Sequence, residues 1–155
     1  MSRSRKLCII FGVIFLIVGV FGILFSVFSN QKFKLDDDQF GSSEFVRISG
    51  EEYEKLKEEK KSFLVFVDQD GCITADGLEK ISKETMDEKN LKVYEIMFAD
   101  ARETSMFEKV KYYPSFVIIK NGEIVSWLKA DADEDVERYK NKTEFNLWLD
   151  KYIAW

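Results

Sequence analysis

Residues Val110–Val125 read VKYYPSFVIIKNGEIV, and this stretch decides the fold. Asn121-Gly122 divides two apolar runs, and that dipeptide readily takes positive φ at both central positions of a tight turn. The spacing predicts a β-hairpin through SFVIIKNGEIVSWL. Pro114, immediately before it, is the only proline in the chain.

Downstream, NKTEFNLWLDKYIAW predicts a closing helix, with Phe145, Trp148, Leu149 and Tyr152 at i, i+3, i+4 and i+7. Thr143 is its expected cap. Asn141-Lys142-Thr143 also forms a glycosylation sequon, meaningful only in a eukaryotic secretory setting. Upstream, FLVFV (63–67) and LKVYEIMF (91–98) are continuous apolar runs, the pattern of strands covered on both faces. Between them lies a helix after Cys72, with Leu78, Ile81 and Thr85 on its inner side. Glu103–Val110 predicts a short helix that buries Met106, Phe107 and Val110. At the front, EFVRIS opens compact structure at Glu44. SGEEYEKLKEEKKS follows as a helix with Ser49 and Glu52 in capping-box spacing and Tyr53 and Leu56 on its apolar stripe. The order β, α, β, α, β, α, β, β, α predicts an α/β domain, a mixed central sheet with helices on both faces.

Before this domain, residues 7–28 carry no charge. As a helix the run spans about 33 Å, enough for the hydrocarbon core of a bilayer. Arg3, Arg5 and Lys6 precede it, which places residues 1–6 in the cytoplasm and everything after Asn30 outside. The expected organisation is a cytoplasmic N-terminus (1–6), a transmembrane signal-anchor (7–28), a polar acidic tether (29–43) and a globular domain (44–155). The alternative is secretion after signal-peptide cleavage near Ser29.

Composition excludes several functions. Of 23 Lys and Arg, three precede the apolar run, so the remaining 20 face all 28 Asp and Glu, a net of −8. An acidic domain of this kind is no nucleic-acid binder. The chain has no histidine, which removes Ser-His and Cys-His pairs and His-ligated metals. No metal and no cofactor are expected. Asp131–Asp135 resembles the start of a calcium loop, but Val136 and Lys142 stand where glycine and glutamate are needed. It reads as a solvated acidic turn. Cys8 lies in the apolar run and Cys72 in the domain, so no disulfide within the chain is expected.

The element order, VKYYPSFVIIKNGEIV and FLVFVDQDGC together resemble the thioredoxin fold, over Glu44–Tyr152. The resemblance implies a cis bond before Pro114. It places Cys72 at the nucleophilic cysteine and Ala75 at the second, giving Cys-Ile-Thr-Ala in place of Cys-x-x-Cys. Gly71 and Thr74 replace the usual tryptophan and proline, and Phe66 stands where a buried aspartate handles protons for the second thiol. The resemblance also implies a groove for an extended peptide between the two loops, formed by Gly71, Ile73, Thr74, Tyr112, Tyr113, Pro114 and Ser115.

Without a second thiol, release of a mixed disulfide needs an external resolving thiol. Two readings of Cys72 follow. It is a monothiol nucleophile favoured by a helix N-terminus, or a thiol in a retired site, where Asp68, Asp70 and Asp76 oppose the thiolate. The expected function is a tethered protein-binding or accessory module in export or thiol-disulfide homeostasis, with monothiol oxidoreductase or isomerase as the alternative.

Overall fold

A computed structural model describes residues 31–69 and 71–155. The apolar run 7–28 and Asp70 lie outside the described residues. Among the described residues no helix is long and apolar enough to cross a membrane.

Five strands form one mixed sheet: β1 (Phe45–Arg47), β2 (Phe63–Asp68), β3 (Val93–Met97), β4 (Ser115–Lys120) and β5 (Glu123–Trp127). Their order across the sheet is β1-β3-β2-β4-β5. The first three run parallel; β4 and β5 are antiparallel to their neighbours. The helices are α1 (Gly50–Glu58), α2 (Ile73–Lys89), α3 (Phe98–Ala101) and α4 (Lys142–Leu149). This is the α/β architecture expected from the sequence.

The central strands are apolar throughout because both faces are covered. From β2, Leu64 and Phe66 enter a core shared with α2 and α4. Phe63, Val65 and Val67 enter a second core with Tyr53 of α1 and Met106. All five are at most 1% exposed. The Ser49 capping box closes α1 as its spacing predicts: Ser49 Oγ accepts from Glu52 N–H, and the Glu52 carboxylate accepts from Ser49 N–H. The Asn121-Gly122 turn has φ of 50° and 78°. Gly122 is required twice over, since a Cβ there would lie 2.3 Å from the Lys57 carbonyl oxygen.

Several expectations need correction. From Phe33 onward the supposed tether is part of the domain. Phe33 bridges to Ile153, Phe40 bridges to Leu91, and Leu35 is 3% exposed. A polar, aperiodic segment hides this because the sheet's own base supplies its hydrogen-bond partners. Strand β3 is shorter than the apolar run, and Phe98 opens α3 instead. Where a helix over Glu103–Val110 was expected, only a 3-10 turn, Ser105–Glu108, forms. Asn141, not Thr143, caps α4, its Oδ1 accepting from Thr143 N–H and Glu144 N–H. That helix ends at Leu149, so Tyr152 lies beyond it. The acidic segment is solvated only in part: Asp131, Asp133 and Glu134 are exposed, but Asp133–Tyr139 forms a 3-10 helix in which Asp135 is 2% exposed and Tyr139 7%.

Candidate functional site

Strand register brings two loops to one end of the sheet. Val67 near the end of β2 pairs with Ser115 at the start of β4, and Asp68 pairs with Met97 at the end of β3. The Cys72 segment and the Tyr112–Pro114 segment therefore leave the same edge.

On the first side, Gly71 takes φ of 71°, which suits glycine. Cys72 is the N-cap of the 17-residue α2, its carbonyl accepting from Ala75 N–H at 2.8 Å and Asp76 N–H at 3.2 Å. The thiol makes no capping bond and is half-buried against the core. Ile73 is 87% exposed, and Thr74 is exposed beside it. Ala75 is 2% exposed and packs in one core with Leu78 and the fully buried Phe66. Position 75, which the resemblance aligns with a second cysteine, thus presents a buried methyl group, and Phe66 on the strand beneath presents a ring.

On the second side, the Tyr113–Pro114 bond is cis. Tyr112 is 53% exposed. Tyr113 is half-buried; its ring lies against Phe98 at 4.7 Å and its hydroxyl donates to the Val110 carbonyl at 2.6 Å. Burial pushes its phenol pKa up to about 12. Among the described residues no hydrogen bond reaches the Tyr113 backbone N–H or C=O. Pro114 is buried, and its carbonyl accepts from the Tyr139 hydroxyl at 2.8 Å. Ser115 is fully buried, with its hydroxyl donated to the Leu128 carbonyl at 2.8 Å, so it does not line an open groove.

The electrostatic setting is acidic. Burial raises the Glu79 pKa, and the carboxylates of Asp68, Glu95 and Asp76 raise it further. Glu95 is paired with Arg47 at 3.1 Å. Among the described residues no group of His, Cys, Asp or Glu is arranged to hold a metal ion.

No protein-family model and no curated protein sequence matches the chain. Solved structures do. A point mutant of thioredoxin from Halobacterium salinarum superposes with a TM-score of 0.57 at 15% identity, over 74% of this chain and 96% of that one. The chain has the thioredoxin fold. Oxidised thioredoxin from Plasmodium falciparum aligns at a TM-score of 0.51 and 17% identity, covering 72% of this chain and 98% of its own. Trxlp from Edwardsiella tarda aligns at 0.51 and 14%, covering 68% and 98%.

The structure also brings in residues that sequence reasoning missed. Tyr139 bonds the Pro114 carbonyl, Asp135 anchors the 3-10 helix that carries Tyr139 through Lys129 N–H and Arg138, and Phe98 packs against Tyr113. Two signals pointed to the 3-10 helix: opposite charges at Asp135 and Arg138, and apolar side chains at Val136 and Tyr139, both at i, i+3.

Proposed function

We propose that this chain is a membrane-tethered, extracytoplasmic thioredoxin-fold domain that binds proteins or extended peptides, an accessory module in export or thiol-disulfide homeostasis. One observation carries the reading. The end of the sheet shared by the Cys72 and Pro114 segments leaves an 87% exposed isoleucine, a 53% exposed tyrosine and the Tyr113 peptide group without partners among the described residues. Large exposed apolar groups beside unpaired backbone suit main-chain recognition of an extended segment. The tether and outward orientation rest on the uncharged run 7–28 and the three cations before it.

A second reading is favoured by the position of Cys72 at the α2 N-cap with its thiol uncommitted. There the thiolate would attack a substrate disulfide and expel one sulfur as thiolate. A thiol from another molecule would then attack the mixed disulfide and release Cys72.

Alkylation of Cys72 across pH, in the full chain with Cys8→Ser in detergent micelles, separates the two readings. A midpoint at or above the ordinary ~8.5 fits the binder, whereas one below about 7 overturns it in favour of the monothiol enzyme. Disulfide reduction with glutathione as resolving thiol, abolished by Cys72→Ser, would also sink the binder. Ala75→Cys supplies the absent sulfur: the variant should release about two equivalents of thiolate from an aromatic disulfide reagent, the parent about one. On intact cells a membrane-impermeant thiol reagent should reach Cys72. Labelling only after permeabilisation would overturn the outward placement.

A further inference from the structure

We infer that Tyr139 is a positioning residue that sets the spacing between the helix carrying Cys72 and the peptide unit at Pro114. This rests on the groove proposed above. The Tyr139 ring packs in the same core as Ala75, Leu78 and Ile81 of α2. Its backbone carbonyl oxygen lies 3.8 Å from where a Cβ on Gly77 would stand. Its hydroxyl donates to the Pro114 carbonyl at 2.8 Å. One residue therefore adjoins both halves of the site, its backbone and core-packed ring on the side of α2 and its hydroxyl on the Pro114 carbonyl.

The segment bearing Tyr139 is itself anchored. Asp135 is 2% exposed, ion-paired with Arg138, and accepts from Lys129 N–H at 2.7 Å. The preceding residue, Leu128, donates its N–H to the Phe116 carbonyl at 3.0 Å and accepts from Ser115 Oγ at 2.8 Å. The 3-10 helix is thus stitched to the start of β4 and the end of β5, and Tyr139 projects from it. A buried carbonyl keeps the direction its donor imposes, because turning away leaves it unpaired. Holding the Pro114 carbonyl inward fixes where the adjoining Tyr113 N–H and C=O stand. Burial also raises the Tyr139 pKa, so the hydroxyl stays a donor at physiological pH.

The test is disulfide tethering to Cys72 in the full chain with Cys8→Ser, in micelles under a glutathione redox buffer. Three probes are compared by mass spectrometry: an acetylated tetrapeptide amide with one cysteine, the same peptide N-methylated at the flanking amides, and cystamine. The parent protein should favour the plain peptide over the methylated one about fivefold, the worth of one net hydrogen bond. Tyr139→Phe, which keeps the ring, should bring that ratio close to one while cystamine tethering stays within about twofold of the parent. Amide exchange in the β2–β4 ladder checks folding. Asp135→Asn, which loosens the anchor and leaves the hydroxyl, should give an intermediate ratio. If the ratio persists in both variants, the inference is overturned and the groove stands. If Tyr139→Phe lowers peptide and cystamine tethering alike, its role is only structural and the inference is likewise overturned. If the parent itself gives a ratio of one, the groove fails and takes the inference with it.

Discussion

The two ends of the sheet differ in how completely the chain satisfies them. At the base, the arm from Phe33 to Gly41 crosses the starts of β2 and β3. Phe33 N–H donates to the Tyr152 carbonyl and Ala154 N–H returns to that of Phe33, both at 2.8 Å. Asp36 N–H donates to the Ser62 carbonyl at 2.9 Å, while the Asp36 carboxylate accepts from Ser62 N–H at 3.2 Å and pairs with Lys61 at 3.2 Å. Gly122 N–H donates to the Lys61 carbonyl at 2.8 Å. At the opposite end Ile73 and Tyr112 face solvent and the Tyr113 peptide group has no partner among the described residues. Backbone pairing is thus more complete at the base, and the proposed partner would find its unpaired groups at the open end.

The largest test of this contrast is Leu35→Ala. Leu35 is 3% exposed and packs with Leu64, Leu91 and Ile153 in one core. A Leu→Ala change at such a site costs about 3 kcal/mol, read from urea unfolding of the full chain in micelles. A tether would lose nothing, so a cost below about 0.5 kcal/mol would return residues 33–43 to linker status. Asp36→Ala probes the same end through its polar bonds. It strips the acceptor from Ser62 N–H and the partner from Lys61, and should cost about 1 kcal/mol.

Legibility in the sequence divides along the same line. Strands β2 and β4, the Asn121-Gly122 turn and the Ser49 capping box were all readable, because each is fixed by local chemistry or by burial on both faces. The cis bond at Pro114 was available only by resemblance, since nothing local to Tyr113-Pro114 dictates it. The arm was not readable: Leu35 and Gln39 are buried by residues far along the chain, and no local period marks them. Asp135 escaped for a related reason. A carboxylate in DADED looks solvated until Lys129 N–H and Arg138 are seen to enclose it. Ser115 was assigned to the groove from its neighbour Pro114, yet strand alternation turns its hydroxyl inward to Leu128.

At the open end, Ile73→Ser should change unfolding free energy by no more than about 0.5 kcal/mol, because an 87% exposed side chain has little burial to lose. The same variant should weaken tethering of the plain tetrapeptide to Cys72 relative to cystamine. A substantial loss of stability would mean that Ile73 is packed, and the contrast between the two ends would fail.

The smallest effect concerns charge. The base sets opposite charges together, Lys61 with Asp36 and Lys92 with Asp38 at 3.7 Å. The site end groups like charges, and Glu79 has its pKa raised by burial and by Asp68, Glu95 and Asp76. A carboxyl with a raised folded pKa binds its proton more tightly folded than unfolded. Stability is then lost as pH rises from the ordinary glutamate value of ~4.3 through the folded pKa, and the loss is complete above it. Glu79→Gln removes this penalty. It should raise the thermal midpoint slightly at pH 7, leave it unchanged near pH 3.5, and gain less in high salt, where the carboxylates are screened. An equal gain at both pH values would point to packing instead of charge. No gain at pH 7 would mean that solvent already screens these groups, and that the crowding of carboxylates beside α2 costs the fold nothing.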